Sequence, residues 1–561
     1  MIRNNKTWPE KVFLEAWRPY AWMVVAGFLL YFRSVFFNFV YFDDNSLIID
    51  NFFFLKDIAN ITNIFTQGVF HVIHAPETYY RPMLTLSFML DAQMGGLNPF
   101  FYHLTNIVLH LIASVLVFVL FIKMKYRRDI SFVFSMIFTV HPVLTQAVAW
   151  IPGRNDSLLA IFLIPSFIYF LSFLEKGKRI DFLWHIFFFA LALFTKEAGL
   201  GLVLVCIFYL HAIAKDKFFS LNERKLAAGW FAVMVIWFLL RRIALTVPMQ
   251  MTVLDMLKSL WLNLPALVQF TGKIIFPVNL SVLPIIQDTT FVPGIIAIIV
   301  VLAALVMTKG KRYNYIAFGS IWFLLFLLSA FIRPNPDVVA DFIEHRSYVP
   351  IIGFMIMLME TGVARTIDLK RTVPLIITAL IIASLFCITF IHLGDFRDPM
   401  SFWKNAAINS PHHPLAHRNL GAMYYLSGEY GSAESEYKKA LELSPNEQMV
   451  HNNLGLIYMK RGWLKEAEAE FLKEYAINPL WDNLHYNLGL LYAREGRFKE
   501  AEAQWKKTLE INPDHGDTLY QLAVYYYGAR ESALAKYYVR EAQKRGVQID
   551  PEFLKALNLR P

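Results

Sequence analysis

Three consecutive stretches decide the fold of the C-terminal part of this chain: PLAHRNLGAMYYLSGEYGSAESEYKKALELSPNE (414–447), QMVHNNLGLIYMKRGWLKEAEAEFLKEYAINPLW (448–481) and DNLHYNLGLLYAREGRFKEAEAQWKKTLEINPDH (482–515). When the stretches are aligned, the same residue types recur every 34 residues in four columns: Gly421, Gly455 and Gly489; Gly428, Gly462 and Gly496; Ala433, Ala467 and Ala501; Pro445, Pro479 and Pro513. A fixed period of this length indicates stacked units that bury their apolar faces against one another.

The three stretches resemble the tetratricopeptide repeat, in which small residues mark the crossing of two helices and proline separates helix pairs. We expect a degenerate fourth repeat over 516–549, with Ala523 at the glycine position, as a capping unit. The resemblance implies a soluble α-solenoid over 414–549 and a C-terminal tail over 550–561. Its concave face would suit a peptide or a partner protein.

A half repeat is predicted just before the first full repeat, over 396–413. Trp403 stands in the same register as Tyr437, Phe471 and Trp505, the large residues of the later second helices. The solenoid is therefore expected to follow the preceding part of the chain with little linker.

Residues 1–395 have a different physical character. The 561-residue chain is 56% hydrophobic and has a mean hydropathy of +0.42, although its repeats are polar. The net charge of +9 does not indicate nucleic acid, because the Lys and Arg clusters lie in short loops between apolar segments, where membrane orientation explains them. Cys206 and Cys387 fall inside apolar segments and lack the spacing of metal ligands.

The apolar segments predict a polytopic membrane domain, since a bilayer core needs about 20 apolar residues per helix. Roughly eleven spans are expected, near 20–40, 104–123, 130–150, 157–174, 182–195, 199–214, 227–246, 291–308, 315–332, 347–363 and 372–392. The segment 259–286 is apolar but contains Lys273 and three prolines, so we expect an amphipathic or re-entrant element on the outer face. Every basic loop then lies on the cytoplasmic side, with the N-terminus inside and the repeats outside.

With this orientation, ionisable residues collect at the outer ends of the spans, where they are costly and indicate function. Asp43 and Asp44 follow the first span and offer a base for a hydroxyl proton. Cations that oppose the orientation rule offer partners for a phosphate held at the membrane surface: Arg81, Arg154, Lys196, Arg241, Arg242 and Arg346, with His345 beside them. Supporting polar groups are His141, Asp156, Glu197 and Glu344. The set predicts group transfer from a lipid-linked donor.

Several short segments carry a resemblance to a known family: Phe42-Asp43-Asp44, Tyr80-Arg81-Pro82, His141 to Val148, Gly153 to Asp156, Lys196-Glu197 and Glu344 to Pro350. Their order and common face resemble the GT-C superfamily of membrane glycosyltransferases. Within it, the layout is most similar to the transmembrane-and-tetratricopeptide O-mannosyltransferases and their bacterial relatives. That branch commonly has Glu where this chain has Gln146, a departure that counts against an acid–base role there.

The resemblance implies an all-α GT-C membrane domain over 1–395 that transfers a sugar, with inversion, from a polyprenyl-phosphate donor. One Asp of the pair, with Asp43 favoured for its place after Phe42, would act as general base. The acceptor would be a Ser or Thr hydroxyl of a protein, presented by the repeats on the periplasmic side of a bacterial inner membrane. Some members of the superfamily use a divalent metal, Mg²⁺ or Mn²⁺, and others use none, so both options stay open.

Other interpretations compete with this one. The chain could be a non-enzymatic membrane anchor that displays repeats for envelope assembly, or a GT-C enzyme with a glycan or lipid acceptor. Asp43-Asp44 could cap a helix, and Arg241-Arg242 could reach lipid headgroups. His71 and His74 could be a metal-ligand pair but are more often interfacial surface. A mere anchor has no need of ionisable groups gathered at one face, which favours the enzyme.

Overall fold

A computed structural model of the chain describes residues 8–73, 79–215, 220–245, 252–332 and 342–559. Regular structure in these residues is helical and includes no strand, which confirms the predicted all-α class. The chain divides into two compact units, Met1–Ser410 and Pro411–Pro561.

The first unit contains eighteen α-helices in the described ranges. They are α1 Arg18–Tyr31, α2 Phe52–Lys56, α3 Pro82–Gly95, α4 Pro99–Lys123, α5 Arg128–Val140, α6 Thr145–Ala149, α7 Arg154–Lys176, α8 Arg179–Thr195, α9 Gly201–Phe208, α10 Leu221–Ala244, α11 Val253–Asn263, α12 Ala266–Ile275, α13 Val292–Met307, α14 Tyr313–Leu328, α15 Pro350–Met359, α16 Gly362–Arg365, α17 Thr372–His392 and α18 Pro399–Asn409. Short 3₁₀ and π-helical turns connect many of them.

Six helical segments of the described residues are long and apolar enough to cross a membrane: Arg18–Phe36, Pro99–Lys123, Ile151–Lys176, Leu221–Ala244, Tyr313–Phe331 and Thr372–Phe396. Another candidate is Arg128–Val140 with Pro142–Ala149, which bends by 52°. The bend falls at His141, whose extended backbone is what a following proline favours. Shorter apolar helices such as Val292–Met307 add to these. Several spans indicate an integral membrane protein, while the count of eleven and the orientation stay predictions.

The segment predicted as an amphipathic or re-entrant element folds as two short helices, α11 and α12, broken at Pro265. Val253, Leu254 and Trp261 on α11 are exposed. Lys273 on α12 is buried in the interior of the unit.

The core of the first unit forms where α14 and α15 pack closely. A Cβ added at Gly319 would lie 2.5 Å from the carbonyl oxygen of Gly353, so the two backbones touch and only glycine fits. Phe167 of α7 packs its ring against Trp322 of α14, 5.5 Å between centroids. Helices α7 and α15, which this packing holds together, begin next to Asp156 and to the turn Glu344–Ser347.

The second unit contains paired helices: α19 Pro414–Leu426, α20 Tyr430–Leu443, α21 Val450–Arg461, α22 Leu464–Ile477, α23 Asp482–Arg494, α24 Phe498–Ile511, α25 Gly516–Gly528, α26 Ser532–Lys544 and α27 Pro551–Ala556. The glycine column has a direct cause. A Cβ at Gly421 would lie 2.7 Å from the ring of Tyr437, and one at Gly489 would lie 2.3 Å from Trp505. The crossings of the first three helix pairs therefore leave room for no side chain, whereas the fourth has Ala523 at this position.

Helix α18, which the sequence pattern groups with the repeats, clusters with the first unit. Trp403 donates from its indole nitrogen to the carbonyl oxygen of Val40 at 3.1 Å. Its ring also packs edge-on against Phe42, 5.4 Å between centroids. The register residue of the half repeat is thus part of the packing around the loop that carries Asp43 and Asp44.

Candidate functional site

The acidic pair lies in a helical turn just after the first span. Asp44 is 1% exposed. Its Oδ2 accepts a hydrogen bond from the indole nitrogen of Trp150 at 3.3 Å, and its Oδ1 has no hydrogen-bond partner among the described residues. Burial, with the neighbouring charge of Asp43, raises the pKa of Asp44 to about 7. A carboxyl group that titrates near neutral pH is suited to act as a general base.

Trp150 connects Asp44 to the rest of the site. Its ring stacks on Phe42 at 5.5 Å and lies 5.5 Å from the ring of His345. His345 belongs to the 3₁₀ turn Glu344–Ser347, which precedes α15. The aromatic contacts therefore bring the turn that contains His345 beside the acidic pair, although the two are about 300 positions apart in the sequence.

Asp156, in the first turn of α7, contacts two basic side chains, those of Lys196 and His345. Its two oxygens accept hydrogen bonds from Nζ of Lys196 at 2.8 and 2.9 Å, and its Oδ2 lies 3.6 Å from Nε2 of His345. Burial lowers the pKa of Lys196, and the nearby charges of Arg81 and Arg346 act in the same direction. Three cations thus share one neighbourhood around Asp156, as an anion-binding site requires.

Arg81 lies at the edge of this group, before α3. Its Nη2 forms an ion pair with Glu197 at 3.3 Å, and its guanidinium stacks 4.3 Å from the ring of Tyr79. The amide oxygen of Asn155, with its amide turned to donate to Thr195, accepts from Nη1 at 2.9 Å. Arg81 retains an Nε without a hydrogen-bond partner among the described residues, so it has a donor available for a ligand.

Arg154 has a different environment from the other predicted phosphate ligands. It is fully buried, pairs with Asp91 at 2.5 Å, and donates to Asn106 Oδ1, the Tyr102 carbonyl and Ser87 Oγ at 2.6, 2.7 and 3.2 Å. These partners belong to α3 and α4. The guanidinium therefore ties α3, α4 and α7 together.

Arg241 and Arg242 end α10, at the edge of the described residues 220–245. The guanidinium of Arg241 lies 5.7 Å from the ring of Trp237, and Arg242 is exposed. Both are compatible with headgroup contact at the end of a membrane helix.

Glu344 is the centre of a second, fully buried group of charges. Its Oε1 accepts from Nζ of Lys273 at 2.7 Å and from the backbone of Ser281 at 3.1 Å, while its Oε2 lies 3.4 Å from Nε2 of His392. Burial opposes ionisation, but Lys273 and His392 hold the pKa of Glu344 below its usual value. Glu344 therefore anchors the turn that presents His345 and Arg346.

Lys273 belongs to this buried group of charges, and its residue type and spacing alone gave it no role at the candidate site. The signal was present, since a single lysine in an apolar segment must find a partner when it is buried. Its neighbour Ile274 also matters, because its carbonyl oxygen accepts from Nε2 of His141 at 2.9 Å. Gln146 donates to the Val282 carbonyl at 2.9 Å. His141 and Gln146 thus fasten α12 and the segment after it to the α5–α6 bend.

The described residues contain no group of three His, Cys, Asp or Glu side chains that could hold a metal ion. His74, the proposed partner of His71, lies outside the described residues.

Comparisons with known proteins identify the repeats. The families described as "TPR repeat" and "Tetratricopeptide repeat" match residues 421–462, 450–479 and 483–515. Among solved structures, YrrB, a TPR protein with an unusual peptide-binding site, covers 34% of this chain and 93% of its own, at 22% identity and a TM-score of 0.24. PilW, a type IV pilus biogenesis factor, covers 34% and 87%, at 23% identity and a TM-score of 0.26.

Curated relatives carry one common description. Protein O-mannosyl-transferase TMTC3 of Homo sapiens is 33% identical over 190 residues, 32% of this chain and 20% of the relative. Protein O-mannosyl-transferase TMTC1 of Mus musculus is 32% identical over 141 residues, 23% and 15%. Protein O-mannosyl-transferase F38B6.6 of Caenorhabditis elegans is 26% identical over 376 residues, 63% and 52%. The chain thus spans about half or less of the length of these relatives. It carries tetratricopeptide repeats, and it is a relative of the protein O-mannosyl-transferases.

Proposed function

We propose that this chain is an integral-membrane glycosyltransferase of GT-C type. It transfers a sugar from a polyprenyl-phosphate donor to a Ser or Thr hydroxyl of a protein on the outer face of the membrane. One observation carries the proposal: a carboxyl group with a pKa of about 7, Asp44, is connected through Trp150 and His345 to the cations around Asp156. The relatives described as protein O-mannosyl-transferases support mannose as the sugar.

The proposed chemistry uses Asp44 as the base. As the acceptor oxygen attacks the anomeric carbon, Asp44 takes the hydroxyl proton, and the bond between that carbon and the phosphate oxygen breaks. The polyprenyl phosphate leaves with the electron pair, the sugar carbon inverts, and the proton later passes from Asp44 to water. Burial and the raised pKa favour Asp44 over Asp43 as this base, because a poised base should titrate near the working pH.

The cations hold the donor phosphate before and after this step. Arg81, Lys196 and Arg346 are the best candidates, since they share one neighbourhood and Arg81 keeps a free donor. Asp156 and Glu197 keep Lys196 and Arg81 ordered until the phosphate arrives. The buried pairing of Arg154 with Asp91 argues against a place for Arg154 in the clamp.

The repeats would bind the acceptor protein, as the match to tetratricopeptide repeats supports. Binding energy from parts of the acceptor distant from the hydroxyl can orient the reacting group.

The test uses purified protein, polyprenyl-phosphate mannose and candidate acceptor peptides. Asp44→Asn keeps the shape of the side chain but removes the base, so transfer should fall by about 100- to 10,000-fold. Asp50→Asn, an exposed carboxylate six positions later, is the matched control and should retain transfer. Near-normal transfer by Asp44→Asn contradicts the general-base assignment. No transfer from any lipid-linked sugar by the unmodified protein favours the scaffold interpretation.

A further inference from the structure

The end of α17 places a histidine inside the buried group of charges around Glu344. His392, the last residue of the helix, is 4% exposed. Its Nδ1 lies 2.8 Å from Oδ2 of Asp395, and its Nε2 lies 3.4 Å from Oε2 of Glu344. An ionised carboxylate only accepts hydrogen bonds, so a ring that faces two of them donates on both sides and carries a positive charge.

The charges of this group compensate one another. Lys273 and His392 bring the positive charges, and Glu344 and Asp395 bring the negative charges. Because Glu344 is fully buried, loss of a cation leaves its carboxylate without full compensation. The position of Glu344 therefore depends on both cations.

Glu344 begins the turn that carries the predicted phosphate ligands His345 and Arg346. The ring of His345 lies 5.5 Å from that of Trp150, and its Nε2 lies 3.6 Å from Oδ2 of Asp156. A shift of Glu344 moves the next two residues as well, because they share one 3₁₀ turn. This connection gives the end of α17 a route to the proposed donor clamp.

The end of α17 is itself fixed, as an anchor must be. The hydroxyl of Thr389 donates to the carbonyl of Val140 on α5 at 2.7 Å. The ring of His392 packs edge-on against Phe396 at 5.3 Å between centroids, and Phe396 packs against Phe402 of α18 at 5.9 Å. Helices α5, α17 and α18 therefore hold the histidine in one place.

We propose that His392 is a positioning residue for the donor clamp. Its positive charge fixes Glu344, and Glu344 orients His345 and Arg346 towards the phosphate of the lipid-linked donor. This role rests on the proposed function and adds to it a residue that touches neither donor nor acceptor. Loss of the charge should weaken donor binding and leave the chemical step intact, because the base, Asp44, belongs to a different loop.

The kinetic test uses the full-length protein in detergent. His392→Gln keeps hydrogen bonding but removes the charge, so KM for polyprenyl-phosphate mannose should rise about tenfold while kcat stays within about threefold. Glu344→Gln should give the same rise. The double variant should be no worse than Glu344→Gln alone, because His392 acts through Glu344. A further loss of about tenfold in the double variant, or an unchanged KM in folded His392→Gln, overturns the proposal.

A spectroscopic test needs no activity. Labelling with fluorotryptophan gives Trp150 a fluorine NMR resonance, assigned by its loss in Trp150→Phe, and this resonance reports the ring of His345 beside it. The resonance should move in His392→Gln. A moved resonance in a protein that transfers no lipid-linked sugar supports the positioning role and counts against the proposed function alone. An unmoved resonance in folded His392→Gln overturns the proposal.

Glu360→Gln is the matched control. Glu360 follows α15 as Glu344 precedes it, and it is also buried. It pairs with Arg312 and Arg365 at 2.5 and 2.9 Å, so it too holds two cations. The control should lower Tm without a change in KM or in the Trp150 resonance. An equal rise of KM in Glu360→Gln would trace the effect to a general loss of stability and overturns the proposal.

Asp395→Asn decides if His392→Gln fails to fold. It removes the negative charge of a partly exposed side chain that faces Nδ1 of His392, so the imidazole ring is held less firmly. KM should rise about threefold, and the Trp150 resonance should move. Unchanged values of both in the folded variant overturn the proposal.

Discussion

Asp44 illustrates how neighbours set the chemistry of a residue. Burial disfavours its charged form, the adjacent Asp43 adds repulsion, and the indole of Trp150 supplies one hydrogen bond in the opposite direction. The balance leaves a carboxyl group that holds its proton at mildly acidic pH and releases it near neutrality. The same two sequence neighbours in an exposed turn would both be ionised throughout this range.

The first prediction concerns the pH dependence of transfer. Because the ionised form of Asp44 is the base and its pKa is about 7, the rate should rise about tenfold per pH unit below that value and level off above it. Asp43→Asn removes a repelling charge, so the profile should move to lower pH while the plateau rate persists. Initial rates of transfer, measured across the pH range on both sides of this pKa, give the pH profiles of the unmodified protein and of Asp43→Asn. A rate independent of pH around 7, or an unmoved profile in Asp43→Asn, contradicts the assignment.

The same shift has a signed effect on stability. The native pKa of Asp44 lies above the unfolded value of about 4, so unfolding releases a proton between these two values. The free energy of unfolding contributed by this residue therefore falls as pH rises through the window from about 4 to about 7, and is constant above it.

The second prediction separates two arginines that look alike in sequence. Arg154→Met leaves the buried carboxylate of Asp91 without its partner and should destabilise the first unit by about 3–5 kcal/mol. Arg81→Gln removes a partly exposed ion pair and should change stability by less than about 1 kcal/mol. Thermal unfolding in detergent compares them. Arg81→Gln should instead weaken donor binding, and equal loss of stability in both variants would refute the distinction.

The sequence alone could not separate these two residues. Both are cations at the outer ends of apolar segments, and orientation statistics treat them alike. The difference is a contact with Asp91, 63 positions earlier in the chain, and such a pairing is set by how α3 packs on α7. Lys196 and Asp156, 40 positions apart, meet in the same way. Residue types could be read from the sequence, but pairings required the packed helices, and the side of the membrane stays a prediction.

At the scale of elements, features set by the local sequence pattern were easier to predict than features set by long-range packing. The helix pairs of the three clear repeats were predictable because a glycine recurs where each pair crosses and meets a ring. The break at Pro265 was also predictable, since proline interrupts a helix, whereas 130–150 was predicted as one span and bends by 52° at His141. The assignment of α18 to the first unit was not predictable, because Trp403 matches the repeat register and yet packs against Phe42.

The third prediction tests the glycine column. A Cβ at Gly489 would lie 2.3 Å from the rigid indole of Trp505, so Gly489→Ala should destabilise the repeats by about 1–3 kcal/mol. Gly431→Ala, in α20 with nothing within 4 Å of its added Cβ, should be neutral or stabilising by up to about 1 kcal/mol. The unit has its own buried cores, so residues 411–561 alone serve for thermal unfolding. Equal Tm values for both variants would contradict the explanation that the contact with the ring requires glycine at this position.

At the scale of the whole molecule, the protein combines a helical membrane body with a repeat unit that has its own core. All residues proposed to act on the donor belong to the first unit. Under the proposed function, this division would assign chemistry to the first unit and acceptor selection to the second.

The fourth prediction follows from this division. Deletion of residues 411–561 should leave binding and slow hydrolysis of the lipid-linked donor intact, while transfer to the natural acceptor falls sharply, because the acceptor is no longer oriented. Donor hydrolysis and peptide transfer are measured on the same preparation, with its folding checked by helicity. Undiminished transfer would assign the repeats to assembly instead. Loss of hydrolysis in a folded truncation would mean that the repeats complete the active site.

The packing of Trp403 decides where the protein can be recombined. Its indole bonds to Val40 and its ring contacts Phe42, next to the acidic pair. A chimera joined after Ser410 keeps this contact. It could carry a foreign recognition module while the loop with Asp43 and Asp44 stays unaltered. A chimera joined after Phe396, where the sequence changes from apolar to polar, loses the Trp403 indole and with it the packing against Phe42. The usable splice point is therefore displaced by about one helix from the place where the sequence suggests cutting.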